Sequence, residues 1–268
     1  MTSTGYLMES ETEAIRLDKK TDPVRVRQQA DWAGLEPGMR VADLGCGSGK
    51  TSYLLNQYVQ PDGKTIGIDI SEQRIDFART TYKADNLRFV CRDIRDSLED
   101  IGPFDFIWIR FVLEYYLKES FDMVTHISKF LSPGGTLCLI DLDYNCLNHF
   151  GLSPNLESAL QGAMHALEER GNFDPYVGRK LYAYIYDLGF ENIEVNMTAH
   201  HLIYGRLTEG DALNWKTKVE IAGRRSGYAF LEYANGFDGF MEDFNSFFND
   251  PRRFTYTPVI ACKGRKPL

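Results

Sequence analysis

A short apolar segment that runs straight into a glycine-rich turn constrains this chain more than any other feature. The segment Val41-Ala-Asp-Leu-Gly-Cys-Gly-Ser-Gly49 has the residues of a buried strand followed by alternating glycines, and a helical pattern begins at residue 51. A glycine-rich turn between a strand and a helix lets backbone N–H groups at the helix N-terminus approach a ligand closely. The segment therefore predicts a strand–turn–helix unit with a ligand site at the turn.

Strand and helix patterns alternate on both sides of this turn. Apolar strand patterns occur at residues 40–44, 65–70, 87–91, 104–109, 136–140, 193–197 and 253–262. Strands that are apolar throughout and separated by helices indicate a parallel sheet covered on both faces, and right-handed crossovers make such a sheet doubly wound. We therefore predict an α/β fold with a doubly wound, mainly parallel seven-stranded sheet, whose ligands bind beyond the carboxyl ends of the strands.

The composition argues against several classes of function. The chain has 268 residues, a formal net charge of -8 and no long run of lysine and arginine, whereas nucleic-acid binding usually needs a basic face. The five cysteines lie far apart, without a CxxC pair or zinc-ligand spacing, so we expect reduced thiols, no metal site and a cytoplasmic location. The sequence has no signal-peptide pattern and no apolar stretch of the ~20 residues that a membrane span needs. We therefore expect neither nucleic acid nor membrane as a partner.

The turn alone leaves its ligand open, because several cofactors bind to such turns. A dinucleotide site needs GxGxxG, and here Lys50 stands where the third glycine belongs. A phosphate-binding P-loop needs GxxxxGK[ST]. The triplet Gly49-Lys50-Thr51 matches its end, but Leu44 occupies the position of its first glycine. Asp141, after an apolar strand, matches the acid that a P-loop enzyme uses for magnesium, so a P-loop-like nucleotide-binding protein stays a remote alternative.

The third candidate ligand is S-adenosylmethionine. Residues 41–49 resemble motif I of the class I S-adenosylmethionine-dependent methyltransferases, residues 104–114 resemble the family's fourth motif, and residues 131–140 resemble its turn before the fifth strand. Asp69 ends the second strand pattern and Asp93 follows the third, as the family's acidic residues do. The resemblance covers about residues 38–141. It is to the members of the family that methylate small molecules, and it implies the Rossmann-like methyltransferase fold with helical lid insertions.

The resemblance also implies which residues bind the cofactor. The backbone at the first two glycines would approach the methionine moiety, while acidic residues would meet its ammonium, the ribose hydroxyls and the edge of the adenine. An N-terminal arm would close over the cofactor with an aromatic and a basic residue. The implied cofactor-binding residues are Tyr6, Arg16, Asp43, Gly45, Gly47, Asp69, Ile70, Asp93, Ile94 and Arg110.

Three segments follow from this assignment. Residues 1–36 are predicted as an N-terminal helical arm, residues 37–143 as the cofactor-binding core, and residues 144–268 as the rest of the sheet. The last segment contains two predicted lid insertions, at about residues 144–172 and 206–250. If the sixth strand is parallel to the sheet and the last is antiparallel, both insertions leave and return at the ligand edge and form a lid there.

The chemistry of methyl transfer needs few special groups. The protein must align a nucleophile with the methyl carbon and exclude water, and a general base is needed only if the nucleophile arrives protonated. Glu114 and Tyr115 are expected to line the acceptor pocket. The weak candidates for a base are His149, His200, His201 and Tyr144. Aromatic residues of the second insertion can enclose a planar or apolar acceptor or simply form the core of the lid; they are Tyr228, Phe230, Tyr233, Phe237, Phe240 and Phe244.

The predicted function is therefore S-adenosylmethionine-dependent methyl transfer by in-line displacement to a small-molecule acceptor, with S-adenosylhomocysteine as product. The Asn/Asp-Pro-Pro-aromatic motif of enzymes that methylate DNA bases is absent after the fourth strand, where Arg110-Phe111-Val112 stands. We expect a monomer or homodimer. A non-catalytic S-adenosylmethionine-binding or regulatory protein of the same fold stays an alternative, because fold and cofactor motifs do not fix the reaction.

Overall fold

One mixed sheet lies at the centre of the computed structural model, which describes residues 13–268. Its strands are β1 (Arg40–Leu44), β2 (Lys64–Asp69), β3 (Leu87–Cys91), β4 (Phe104–Arg110), β5 (Leu131–Leu142), β6 (His149–Phe150), β7 (Glu191–Tyr204) and β8 (Phe254–Arg265). The strand order is β3-β2-β1-β4-β5-β8, and β7 pairs with the other side of β8. The two-residue strand β6 also pairs with β8. The predicted doubly wound α/β sheet is confirmed, with seven main strands and this short additional one.

The strand directions place the ligand edge. Strands β1 to β5 are mutually parallel, and β8 is antiparallel to both β5 and β7. Strand β7 is therefore parallel to β5, as supposed from the sequence. The chain order reverses between β1 and β4, and the crevice at such a switch point is where open α/β sheets bind ligands.

Helices cover both faces of the sheet and the ligand edge. They are α1 (Glu13–Lys20), α2 (Pro23–Ala33), α3 (Lys50–Val59), α4 (Glu72–Thr81), α5 (Ser120–Ser128), α6 (Pro154–Gly171), α7 (Leu181–Asp187), α8 (Glu209–Ser226) and α9 (Phe237–Asn249). Two 3-10 helices, Leu113–Tyr115 and Val177–Lys180, follow β4 and precede α7. Helix α2 begins at Pro23, because Asp22 accepts a hydrogen bond from Val24 N and proline is favoured at the first helical position.

Alternate residues of the central strands divide the core between the two faces. Ile107 and Ile109 of β4 pack in one apolar cluster, while Phe106 and Trp108 pack in the cluster on the other side. All four side chains are fully buried. This arrangement explains why the strand sequence is apolar at nearly every position and is typical of a central parallel strand.

The two predicted insertions contain α6 and the pair α8 and α9. These three helices share their own apolar cluster, centred on Trp215 and Phe244. The exposed fractions of Phe230 and Phe240 are 1% each, and both rings belong to that cluster. The aromatic side chains of the second insertion therefore serve mainly as the core of the lid.

Strand β7 is longer than predicted, so the two candidate bases His200 and His201 lie in the strand itself. The predicted strand ended at residue 197, but β7 continues to Tyr204 because β8 pairs with it along its whole length. His200 and His201 therefore lie within β7 and do not follow it. The pair of histidines interrupts the apolar pattern of the strand, and pairing with β8 supplies the hydrogen bonds that extend β7 beyond it.

Candidate functional site

A cavity of about 240 Å³ lies at the carboxyl ends of β1 to β4. Its wall is formed by the glycine turn, by residues at or just after the ends of β2, β3 and β4, by α1 and by parts of the lid. Of the residues expected to bind the cofactor, eight line it: Arg16, Gly45, Gly47, Asp69, Ile70, Asp93, Ile94 and Arg110. Tyr6 lies outside the described residues.

The glycine turn is held by the neighbouring strand. The backbone N–H groups of Gly45 and Cys46 donate hydrogen bonds to the carbonyl oxygen of Ile68, at 2.8 and 2.9 Å. Gly45 has φ +77°, and a Cβ at this position would lie 2.4 Å from Cγ2 of Val112. No other residue fits both the backbone angle and the close approach of Val112 without strain. The turn is thus a rigid part of the cavity wall.

The carboxylate of Asp69 stands at the centre of the wall. Its Oδ2 atom accepts a hydrogen bond from Gly47 N at 2.9 Å, while Oδ1 accepts from Ser71 N at 2.9 Å. Arg74 forms an ion pair with Oδ1, with Nη2 at 2.9 Å, and its side chain also lines the cavity. Arg74 was not expected from the sequence, although a basic residue in the first turn of the helix after an acidic strand end is a usable signal.

Ile70, Asp93 and Ile94 form a second part of the wall beyond Asp69. Ile70 is 54% exposed although it is apolar, and it lies in the cavity. Arg95, also not expected from the sequence, donates hydrogen bonds to both carboxylate oxygens of Asp93, and these bonds hold the pKa of Asp93 below its usual value. An exposed apolar side chain beside an oriented carboxylate suits a flat ring with polar edge groups.

Asp43 lies below the cavity and not in its wall. Its Oδ2 accepts a hydrogen bond from Ser52 Oγ at 2.6 Å, and burial raises its pKa to about 7. Arg110 lines the cavity above it, donates a hydrogen bond from Nε to Gln29 Oε1 at 3.1 Å, and has a pKa lowered to about 10 by burial. Arg110 therefore remains charged at neutral pH.

Helix α1 closes one side of the cavity. Lys50 Nζ donates a hydrogen bond to the Asp18 carbonyl oxygen at 2.8 Å, and the Tyr82 hydroxyl donates one to the Asp18 carboxylate. Arg16 lines the cavity and pairs with Glu13, with Nη2 2.7 Å from Oε1. Lys20, at the end of the helix, lines the cavity too. No local sequence signal pointed to Lys20, because only the packing of α1 brings it to the site.

His149 is a structural residue of the lid base. Its Nε2 lies 3.0 Å from the carbonyl oxygen of Cys146, so this nitrogen donates, and Nδ1 accepts from the Thr255 hydroxyl at 2.8 Å. The ring packs edge-on against Trp215, and burial lowers its pKa to about 4. His149 does not line the cavity, so this candidate base is not placed to act there.

Two further base candidates also lie outside the cavity wall. The Tyr144 ring is held under the guanidinium of Arg179, whose Cζ is 4.4 Å from the ring centroid. His201 packs against Trp215, and burial lowers its pKa to about 2. His200 does line the cavity, with its ring edge-on to Phe111. Burial, with nearby Lys20, holds the pKa of His200 well below its usual value, so this ring is neutral.

Glu114 and Tyr115 line the cavity beyond Arg110, at the end nearest the lid. Glu114 Oε2 accepts a hydrogen bond from Asn145 Nδ2 at 2.6 Å, and Asn145 Oδ1 accepts one from Lys218 Nζ at 2.7 Å. Lys218 belongs to α8, so the lid contributes a charged group to the wall. The sequence placed this insertion at the ligand edge but did not single out Lys218.

A smaller cavity of about 50 Å³ opens beside this end. Tyr115 and Lys218 line both cavities, and the rest of the smaller one lies between α6, α8 and α9. Its wall is mainly apolar and includes Leu160, Met164 and Phe240. Phe240 is therefore one predicted lid aromatic that reaches a cavity.

The turn is not arranged as a phosphate-binding loop. Lys50, the lysine of the P-loop alternative, is bonded to α1 at Asp18 instead of facing the turn. Asp141, the expected magnesium ligand, is buried and accepts hydrogen bonds from Leu113 N and Glu114 N at 2.9 and 3.3 Å. Burial holds the pKa of Asp141 well above its usual value, and both backbone hydrogen bonds already occupy its Oδ2 atom. The geometry contradicts the P-loop alternative.

Neither a metal cluster nor a membrane-spanning helix occurs within residues 13–268. No three histidine, cysteine or acidic side chains of this part of the chain are grouped so that they can hold a metal ion. No helix in the same residues is long and apolar enough to cross a membrane.

Known proteins share both sequence and fold with this chain. Residues 35–200 match the family model described as a methyltransferase domain. A demethylmenaquinone methyltransferase from Lactococcus lactis is 30% identical over 116 residues, which cover 41% of this chain and 44% of that protein. The chain spans less than half of the length of the first curated relatives that it matches.

Two solved structures superpose on most of the chain. Haemonchus contortus phosphoethanolamine N-methyltransferase 2, solved with phosphomonomethylethanolamine and S-adenosylhomocysteine, gives a TM-score of 0.64 at 13% identity, over 100% of this chain and 61% of that chain. The [4+2]-cyclase SpnF gives 0.55 at 17% identity, over 92% of this chain and 82% of that chain. These likenesses show the fold.

The family match covers more than half of the chain and includes the glycine turn and the ends of β1 to β5. The remote P-loop-like alternative is therefore wrong. The chain belongs to the methyltransferase-domain family and has the Rossmann-like fold of the class I S-adenosylmethionine-dependent methyltransferases.

Proposed function

We propose that this chain transfers a methyl group from S-adenosylmethionine to a small-molecule acceptor by in-line displacement. One observation carries the proposal. Of the residues that the family resemblance assigns to the cofactor, eight line one cavity, and they come from α1 and from four separate strand ends. A set of structural residues would have no reason to meet in this way.

The cavity wall suits the parts of the cofactor. Gly45 and Gly47 contribute only backbone atoms to the cavity wall, and both have positive φ angles. Asp69 Oδ2 carries one backbone hydrogen bond, so it retains a lone pair for a ribose hydroxyl. Ile70 would pack on the adenine, Asp93 would bond its edge, and the Arg110 guanidinium would pair with the methionine carboxylate.

Bound S-adenosylmethionine supplies a methyl group on a sulfonium, which is already electrophilic. The protein's own task is then to orient the acceptor and exclude water. Helix α1 and the lid residue Lys218 close the cavity on two sides. Glu114, which Asn145 holds in place, is the wall carboxylate that no arginine pairs with among the described residues, and it can take up a proton or hydrogen-bond the acceptor.

Composition supports the remaining parts of the proposal. The net charge of -8 favours a small acceptor over nucleic acid. The cysteines are free thiols, four of them buried, which fits the reducing cytoplasm. The choice between monomer and homodimer stays a prediction.

Replacing Asp69 with asparagine is expected to weaken S-adenosylhomocysteine binding by about 1–3 kcal/mol, roughly 5- to 150-fold in Kd. The amide keeps the shape of the side chain, but it loses the charge and half of its acceptor capacity. Isothermal titration calorimetry on the wild type and the variant measures the effect. The matched control is Asp76→Asn, an exposed carboxylate on α4 that pairs with Arg79.

The same titration tests both the proposed function and the role of Asp69 in it. Wild-type protein that does not bind S-adenosylhomocysteine contradicts the proposed function. An unchanged Kd in folded Asp69→Asn, with its melting temperature near that of the control, removes Asp69 from the site. Tight binding without S-adenosylhomocysteine formation on any metabolite extract favours the non-catalytic alternative, because the fold by itself does not fix the reaction.

Glu114→Gln is expected to lower the rate of S-adenosylhomocysteine formation about 100-fold, because an amide cannot take up a proton. The Kd of S-adenosylhomocysteine should change by less than about threefold, since Glu114 lies at the lid end of the cavity. Initial rates with the active fraction of a metabolite extract measure this effect, and the exposed Glu99→Gln is the control. A rate equal to that of the control would show that Glu114 takes no part in the reaction.

A further inference from the structure

Positive side chains from three elements line the lid end of the large cavity. They are Lys20 at the end of α1, Arg110 at the end of β4 and Lys218 in α8. The neutral ring of His200 lies in the same wall. Cations that meet from such distant parts of the chain create a local field for an anion, even though the whole chain is acidic.

None of these three cations forms an ion pair with a carboxylate of residues 13–268. Arg110 and Lys218 donate hydrogen bonds to the neutral amides of Gln29 and Asn145. Lys20 has no hydrogen-bond or ion-pair partner within residues 13–268. Glu114 is the one carboxylate that the described residues place at this end of the cavity, so positive groups outnumber negative ones there.

The remaining charged groups of the wall are already paired. Arg74 pairs with Asp69, Arg95 pairs with Asp93, and Arg16 pairs with Glu13. The excess of positive charge is therefore confined to the lid end. Elsewhere the wall is close to neutral.

The titration of Lys20 reflects this excess. Burial, together with the positive charges of Lys218, Arg16 and Arg110, lowers the pKa of Lys20 to about 7, although Glu114 acts in the opposite direction. Burial is the largest cause of this shift, and the nearby carboxylate of Glu114 does not offset burial and the positive neighbours. A bound anion would raise the pKa of Lys20 again.

The cofactor cannot supply the missing negative charge. This step rests on the proposed function: S-adenosylmethionine brings one carboxylate but two cationic centres, its ammonium and its sulfonium. Its carboxylate can pair with Arg110, and one net positive charge is then added to the cavity. The acceptor must therefore bring the anion.

The small cavity adds a second requirement for the acceptor. It opens where Tyr115 and Lys218 line both cavities, and its wall includes the apolar side chains of Leu160, Met164 and Val219. A cation at the mouth of an apolar cavity suits a molecule with an acidic group and a hydrocarbon part.

We infer that the acceptor is an organic acid, a carboxylate or a phosphate, whose anionic group binds Lys20 and Lys218 and whose apolar part enters the cavity between α6 and α8. Lys20 and Lys218 are thus specificity-determining residues. Carboxylate and phosphate groups both accept charge-assisted hydrogen bonds from the ammonium groups of two lysines. The experiment below distinguishes a carboxylate acceptor from a phosphate acceptor.

The test uses the full chain saturated with S-adenosylhomocysteine, titrated calorimetrically with hexanoate, hexyl phosphate and the uncharged hexanamide. At least one of the two anions is expected to bind about tenfold or more tightly than hexanamide, and the tighter one identifies the acid. Lys218→Met should weaken anion binding about tenfold or more. Lys216→Met, an exposed lysine on the same helix, should leave it unchanged.

A second readout separates a direct contact from a structural effect. Titrations at pH 8 in two buffers of different ionisation enthalpy should show that anion binding takes up a proton, and Lys20→Met should abolish that uptake. Equal binding of hexanamide and the anions, no binding of any of them, or anion binding that survives Lys218→Met overturns the inference. If wild-type protein fails to bind S-adenosylhomocysteine, the proposed function itself has failed first.

Discussion

Replacing Gly49 with alanine is expected to lower the free energy of unfolding by about 2–5 kcal/mol. Gly49 has φ +83°, in the left-handed region that an L side chain enters only with strain. A Cβ there would also lie 2.6 Å from the Cβ of Ala78 and 2.8 Å from Cε1 of Phe89. Both neighbours are buried, so α3 would have to move away from α4 and β3.

Two glycines elsewhere separate the backbone contribution from the packing contribution. Gly34 has φ +79°, and a Cβ added there would have nothing within 4 Å, so Gly34→Ala should show only the backbone strain of about 1–2 kcal/mol. Gly210, in α8, has open space and no positive φ, so Gly210→Ala should be neutral or stabilising by up to ~1 kcal/mol. Urea unfolding measures all three. A loss at Gly49 no greater than that at Gly34 would show that the close packing is absent.

The structure gives a second reason for the glycines of the turn, which is packing between neighbouring elements. From sequence, the glycine-rich turn suggested close approach of a ligand, with Gly45 and Gly47 assigned to the cofactor. In the structure Gly45 makes room for Val112 and Gly49 for Ala78 and Phe89. Packing between elements thus explains part of a pattern that, as a motif, is associated with the cofactor.

The sheet and one half of the site could be predicted because their signals are local. A strand such as β4 is apolar at nearly every position because both faces are covered. Asp69 and Asp93 follow directly from the ends of such strands. Their position at the ligand edge then needs only the strand direction.

The other half of the site could not be predicted, because it depends on contacts between distant segments. Lys20 and Lys218 are separated by most of the chain and meet only because α1 and α8 close over the same edge. His149 looked like a candidate base because it follows β5, but both of its ring nitrogens are hydrogen-bonded, one to Thr255 and one to Cys146. Position near a strand end is therefore a weaker guide for a histidine than the hydrogen bonds that it makes.

The structure also changes the expected role of Asp43. The family resemblance placed it near the cofactor's ammonium, yet the side chain lies below the cavity wall and bonds Ser52. Burial raises the pKa of Asp43 to about 7, while Ser52 and Arg110 act in the opposite direction. The folded protein therefore holds a proton that the unfolded chain releases near pH ~4.

The sign of the pH effect follows from this difference. Between about pH 4 and about pH 7 the folded state binds one proton more than the unfolded state at Asp43. The free energy of unfolding therefore falls as pH rises, by about 1.4 kcal/mol for each pH unit, until the folded pKa is passed. The stabilisation is complete below the unfolded pKa and is lost as the pH rises through the folded pKa.

Asp43→Asn removes this dependence, because asparagine does not titrate. Between pH 5 and pH 8 the wild type is expected to lose about 2–3 kcal/mol of stability relative to the variant. Urea unfolding of both proteins at several pH values gives the difference, in which all other titrating groups cancel. Parallel curves would show that Asp43 is ionised in the folded protein at pH 5. Saturating S-adenosylhomocysteine adds a test of the site, because an ammonium close to Asp43 would lower its pKa and make the wild-type curve flatter.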